Sequence, residues 1–91
     1  MTHSENPVVV YTADWCGYCD RAKRLLRQRS IDFHEVNVDQ EPGFRSRLME
    51  LTGRMTVPQV LIGGQPIGGF DELRALDRAG RLSDLVATAR A

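Results

Sequence analysis

Two cysteines, in the segment Trp15-Cys16-Gly17-Tyr18-Cys19, are the only cysteines of the chain. An apolar run, Val8-Val9-Val10-Tyr11, precedes them and a stretch with helical spacing follows. A sulfur in the opening turn of a helix faces backbone N–H groups that have no partner within the helix. The partial positive charge there favours thiolate over thiol. A free thiol, with a pKa of about 8.5, is only a few per cent thiolate at neutral pH. Lowering that value by about three units takes about 4 kcal/mol. The helix end supplies at most about 2 kcal/mol, and charge-assisted bonds from the N–H groups of Tyr18 and Cys19 add about 1.5–3 kcal/mol each. The same peptide groups give both effects, so they overlap, yet together they reach the required size. Cys16 is therefore expected to be the attacking thiolate. Cys19, one turn in and less exposed, is expected to resolve the mixed disulfide that Cys16 forms. The chemistry is thiol–disulfide exchange.

Two other uses of C-x-x-C stand beside that one. Half of a zinc site needs two further ligands at suitable spacing. The histidines are His3 and His34, and neither has a partner three to five residues away; both read as surface residues. A purely structural bridge would close a loop of a single helical turn and constrain little.

The elements that must position the pair follow from periodicity. Val8 to Tyr11 is continuous and β-branched, which suits a central strand covered on both faces. Asp14 stands where a helix N-cap is expected. Ala22, Leu25 and Leu26 form an apolar stripe opposite Arg21, Lys23, Arg24 and Arg27, in a helix expected to end near Arg29. Residues 31–38 mix Phe33, Val36 and Val38 with polar residues and read as a less buried edge strand. Strand, helix and strand within about thirty residues make a βαβ unit with a right-handed crossover. Phe44, Leu48 and Leu51 then define a second helix stopped at Gly53. Val60-Leu61-Ile62 reads as a buried strand, Gly63-Gly64 as a hairpin turn, and Gln65-Pro66-Ile67 as a short return strand at an edge. Asp71 is placed to cap a third helix carrying Leu73 and Leu76. A last amphipathic helix carries Leu82, Leu85, Val86 and Ala89. The order β-α-β-α-β-β-α plus a C-terminal helix implies an α/β fold, a four-stranded mixed sheet flanked by helices.

With 91 residues, 42% of them hydrophobic, the chain fits one domain with one core over residues 1–91, residues 1–6 being disordered or extended. Its net charge is zero, which argues against nucleic acid or an anionic membrane as partner. All but one of the 12 basic residues are arginine, Lys23 being the exception. Met1 to Pro7 carries neither the basic nor the apolar region of a secretory signal. The expected location is therefore cytoplasmic, where a C-x-x-C pair is kept reduced and works as a catalyst or sensor.

Three further segments narrow the reading. Thr56-Val57-Pro58 stands directly before the third strand, Gly68-Gly69-Phe70-Asp71 directly before the third helix, and Tyr18 before the second cysteine. Taken with Cys16 and Cys19, over residues 8–85, the chain resembles a glutaredoxin of the small bacterial dithiol kind. The resemblance implies a thioredoxin-like fold and glutathione as co-substrate. It implies that Val57 offers its backbone N–H and C=O to the cysteine part of glutathione, with Thr56 beside it and Pro58 in the cis form. It implies that Gly69, the Phe70 N–H and the Asp71 side chain hold the γ-glutamyl end, and that Tyr18 walls the groove.

Two departures from the family pattern bear on function. Gly17 stands where many relatives have proline, which loosens the first helical turn. Ala13 stands where relatives often carry lysine, so a cation for the glycyl carboxylate must come from elsewhere, and Arg45 or Arg54 could replace it. Trp15 and Gly17 also echo thioredoxin. That family, however, has proline before the second cysteine and lacks the Gly-Gly-x-Asp segment.

The expected function is a glutathione-dependent oxidoreductase acting on protein disulfides and protein–glutathione mixed disulfides, as a monomer. The alternative is a [2Fe–2S] carrier or sensor. There two chains share the cluster through the Cys16 of each and two glutathiones, and metal ligation is otherwise absent.

Overall fold

The computed structural model describes residues 6–90. The expectation of disorder or extension for the start of the chain falls, for residues 1–5, outside the described residues. The elements are β1 (Val8–Thr12), α1 (Gly17–Gln28), β2 (His34–Asn37), α2 (Phe44–Thr52), β3 (Gln59–Ile62), β4 (Gln65–Gly68), α3 (Phe70–Arg78) and α4 (Leu82–Arg90). That is the expected order, with a terminal helix.

The sheet runs β2-β1-β3-β4. β1 is parallel to β2, antiparallel to β3, and β3 is antiparallel to β4, so the sheet is mixed. Period-two alternation sends the strand residues to two separate cores. Val8, Val10, Val60 and Ile62 face α1, α3 and α4, where they meet Ala22, Leu26, Leu73, Leu82 and Val86. Tyr11 and Leu61 face the other way, toward Leu48 of α2 and Val38, with Val9, Phe44 and Leu51 packed around them. Both layers are needed because β1 and β3 are buried on both faces. Leu26, Leu48 and Leu73 are fully buried, and burying each stabilises the fold by about 1.5–3 kcal/mol.

The second strand is shorter than the apolar pattern over 31–38 suggested. Ile31 is instead spent on ending α1: its N–H donates to the Leu26 carbonyl at 2.9 Å, and its side chain joins the first core. β1 is one residue longer than expected. It runs to Thr12, which is 1% exposed and donates its hydroxyl to Glu35 Oε2 at 2.7 Å. Lys23 of α1 reaches the same Oε2 at 3.1 Å. Burial alone would raise the Glu35 pKa. The Thr12 hydroxyl and the Lys23 ammonium outweigh it and hold the carboxyl below its usual range. This triad ties β1, β2 and α1 together beneath the loop that carries the cysteines.

Candidate active site

The cysteine loop leaves β1 at Thr12 and is stitched to the end of β2. Asp14 donates its N–H to Asp39 Oδ2 at 3.0 Å and accepts from Asn37 Nδ2 at 2.9 Å. Asp14 is therefore not the cap of α1, as its position suggested; its carboxylate is consumed by the neighbouring strand. The cap is Cys16 itself, extended at φ −112° and ψ 103°. Trp15 before it takes a left-handed conformation, φ 59°, with its indole fully exposed. That conformation costs a side-chain-bearing residue about 1–2 kcal/mol, and it turns the chain so that Cys16 starts the helix. The Cys16 sulfur accepts the Cys19 N–H at 3.1 Å. Cys16 and Cys19 are joined in a disulfide, so the structure is that of the oxidised protein. Cys19 is 1% exposed and Cys16 is partly exposed, the asymmetry expected of a resolving and an attacking sulfur.

The Cys16 sulfur lies 3.9 Å from the Val57 carbonyl oxygen, and the Val57–Pro58 peptide bond is cis. Beside it opens a cleft of about 370 Å³ lined by Tyr18, Arg54, Thr56, Val57, Pro58, Gln59, Gly69, Phe70, Asp71 and Glu72. Seven residues singled out in the sequence (Tyr18, Thr56, Val57, Pro58, Gly69, Phe70 and Asp71) thus meet in one place. Arg45 does not line the cleft. It pairs with Asp39 at 2.8 Å, on the side of the cysteine loop where Asp39 also holds Asp14. Arg54, the other candidate cation, does line it.

Glu72 and Gln59 complete the lining without having been signalled by the motifs. Asp71 was expected to cap α3, but the N-cap is Gly69, and Glu72 reaches back to accept the Gly69 N–H at 2.8 Å. Asp71 is then left exposed in the first turn with its carboxylate toward the cleft. The signal for Glu72 was its place three residues after the true cap. The backbone N–H groups of Glu72 itself and of Gly69, helped by Arg54 at 3.6 Å, hold its carboxyl below the usual range. Gln59 is 2% exposed and donates from Nε2 to the Thr56 hydroxyl at 3.2 Å, which steadies the segment before Pro58. Two glycines permit this packing. A Cβ on Gly69 would press on the Pro58 carbonyl at 3.2 Å. One on Gly68, at φ +117°, would meet Glu72 Cγ at 2.8 Å.

The arrangement joins a partly exposed, disulfide-bonded sulfur at one helix N-terminus to a cleft closed by a second helix N-terminus, that of α3. Both ends favour negative charge. Among the described residues no group of three or more His, Cys, Asp and Glu side chains is gathered to hold a metal ion. No described helix is long and apolar enough to cross a membrane.

Comparison with known proteins places this geometry. The sequence pattern of the family described as Glutaredoxin matches residues 8–67. The chain is 48% identical over 81 residues to Glutaredoxin of Pseudomonas aeruginosa, covering 89% of this chain and 96% of that protein. It is 43% identical over 79 residues to Glutaredoxin 3 of Escherichia coli, covering 87% and 95%. A crystal structure of a buckwheat glutaredoxin–glutathione complex superposes with a TM-score of 0.86 at 37% identity, covering 92% of this chain and 79% of that one. The fold is thioredoxin-like, the Cys16–Cys19 pair is its redox centre, and the chain belongs to the glutaredoxin family of thiol–disulfide oxidoreductases.

Proposed function

We propose that the chain, acting as a monomer in a reducing compartment such as the cytoplasm, uses glutathione as co-substrate to reduce protein disulfides and protein–glutathione mixed disulfides. One observation carries the reading. Val57, the first turn of α3 and Arg54 line a single cleft, and the Cys16 sulfur lies beside it, 3.9 Å from the Val57 carbonyl oxygen. The buckwheat relative in complex with glutathione supports it.

In the reduced protein the Cys16 thiolate attacks one sulfur of the substrate disulfide. The new S–S bond joins Cys16 to that sulfur, and the other sulfur leaves as a thiolate and takes a proton from water. From a protein–glutathione substrate, Cys16 acquires the glutathione sulfur and the protein thiol leaves. The Val57 N–H and C=O then pair with the cysteinyl backbone of the bound tripeptide. The N–H groups at the start of α3, Phe70 first, receive the γ-glutamyl carboxylate, and the Asp71 carboxylate takes its ammonium. Arg54 takes the glycyl carboxylate in place of the lysine that Ala13 replaces. Tyr18 closes the side of the cleft. A second glutathione thiolate attacks the adduct, releasing oxidised glutathione and the Cys16 thiolate. Cys19 can displace glutathione instead, giving the disulfide observed here.

The test is glutathione-coupled reduction of a small glutathione mixed disulfide. Cys16→Ser is expected to abolish turnover and Cys19→Ser to retain it. A wild-type protein without activity would end the reading.

A second reading is favoured by the open edge at Cys16, where Trp15 and Tyr18 are both exposed and Gly17 has nothing within 4 Å of its would-be Cβ. Two chains could meet there and hold a [2Fe–2S] cluster through both Cys16 thiolates and two glutathiones. Reconstitution with iron, sulfide and glutathione is expected to give visible absorbance that Cys16→Ser removes. A colourless monomer would dismiss it.

A further inference from the structure

Next to the cysteine cleft lies a second one, of about 410 Å³, between α1 and α3. It is lined by five arginines, Arg21, Arg24, Arg29, Arg74 and Arg78, and by one acid, Asp77. Asp77 is committed, since Arg29 grips it with Nε at 2.7 Å and Nη2 at 2.8 Å. The other four guanidinium groups form no ion pair among the described residues. In a chain of zero net charge this is a local excess of one sign. Its spacing does not serve stability. Arg21 and Arg24 are three apart on one helix, Arg74 and Arg78 four apart on another, and like charges at those spacings repel.

The two clefts share a wall. Phe70 lines both. Its ring lies 6.2 Å from that of Tyr18, between the two cysteines in sequence, and Arg21 sits 5.2 Å above the Tyr18 ring. Tyr18 and Phe70 thus form the boundary between the cleft beside Cys16 and the arginine cleft. We propose that this cleft is the docking site for an acidic polypeptide segment adjoining the disulfide of a protein substrate. Rows of carboxylates match the arginines in sign and in bidentate geometry. A concave patch of one charge also raises the association rate of its complement. The inference rests on the proposed reduction of protein disulfides and names the substrates it favours.

Two measurements separate the inference from that reading. The first needs no redox chemistry: fluorescence anisotropy of a labelled, cysteine-free, Asp/Glu-rich peptide added to the oxidised protein. The double variant Arg74→Gln/Arg78→Gln is expected to bind it about tenfold more weakly, and raising salt from about 20 mM to about 200 mM to weaken wild-type binding similarly. The second compares kcat/KM for two disulfide peptides that differ only in an acidic or neutral flank. The wild type is expected to prefer the acidic one by about tenfold at low salt and the double variant to lose that preference. Turnover of the small glutathione mixed disulfide should stay unchanged. Equal binding by variant and wild type, a preference that survives in the variant, or tighter binding of a DNA duplex than of the peptide would each overturn the proposal. Loss of small-substrate activity in the wild type would strike the parent reading, while the anisotropy would still judge this one.

Discussion

Replacing Cys19 by serine isolates the Cys16 thiol, and its titration tests the physics on which the site depends. Serine keeps the backbone N–H that lies 3.1 Å from the Cys16 sulfur. A bond from that N–H to an ionised sulfur contributes about 1.5–3 kcal/mol. The α1 N-terminus adds up to about 2 kcal/mol in a partly buried setting. The Cys19 peptide belongs to both figures, so about 2–4 kcal/mol is the fair combined preference for thiolate. At about 1.4 kcal/mol per pKa unit, a preference of that size holds the Cys16 thiol well below the ordinary thiol value of about 8.5. The assay is the rate of iodoacetamide alkylation against pH in the reduced Cys19→Ser protein. Loss of the thiolate absorbance on acidification gives an independent midpoint. In the reduced wild type, Cys16 is expected to be labelled first, since Cys19 is 1% exposed. A midpoint at about 8.5 or above refutes the argument, because the cap geometry would then stabilise no charge. So does faster labelling of Cys19.

Two further predictions concern charge. Arg54→Gln is expected to raise KM for a glutathionylated substrate by about two- to fivefold with kcat unchanged, since an exposed ion pair is worth at most about 1 kcal/mol. Arg45→Gln should leave KM alone because Arg45 is engaged with Asp39, and the reverse pattern in steady-state kinetics would move the glycyl carboxylate to the other side of the site. The second concerns acid stability. The carboxyls of Glu35, Asp39, Glu72 and Asp77 are all held below their usual values. Depressed carboxyls contribute stability above the unfolded pKa, about 3.9–4.3, that is lost as pH falls through the folded values. Thermal melts should therefore be flat from neutral pH to about 5 and fall below about 4. Glu35→Gln should lower the melting temperature at neutral pH and flatten the acid decline, and an unchanged profile would show that the Thr12–Glu35–Lys23 triad stores no such stability.

The element order was legible because periodicity and punctuation agreed along the chain. Val8-Val9-Val10-Tyr11 is short, continuous and β-branched, as suits a covered strand, Gly53 and Gly63-Gly64 interrupt where they should, and Leu73 and Leu76 repeat at helical spacing. What the sequence did not reveal were the partners of side chains across elements. Asp14 and Asp71 each occupy a plausible capping position, yet capping is a competition. Asp14 is drawn to Asn37 on a strand far away in sequence. Asp71 lies one position inside a helix that already starts at Phe70, so Gly69 is the cap and Glu72 closes the box by accepting the Gly69 N–H. Arg45 lies in the first turn of α2 and Arg54 just past its end, and only the fold shows that one faces Asp39 and the other the cleft. The motifs around Thr56-Val57-Pro58 and Gly68-Gly69-Phe70-Asp71 were readable as a set; Gln59 was hidden inside a run that looks like core.

The convergence of those motifs is a consequence of sheet direction. β3 is antiparallel to both β1 and β4. β1 and β4 therefore run the same way, and their ends lie at the edge where β3 begins. The register makes this concrete: Tyr11 pairs with Gln59, and Val60 with Gly68. Whatever follows β1, precedes β3 and follows β4 must meet there. In this chain those are the cysteine loop, Val57-Pro58 and Gly69-Phe70. The helices that follow β1 and β4 both begin at that edge, so two N-termini present their positive ends to one cleft. The sheet direction alone therefore brings two positive helix ends to the Cys16 sulfur and the cleft beside it. The dependence is strict. A slip of one residue between β3 and β4 would turn the β4 side chains to opposite faces. It would also carry Gly69 away from the Pro58 carbonyl, against which it now fits only for want of a Cβ.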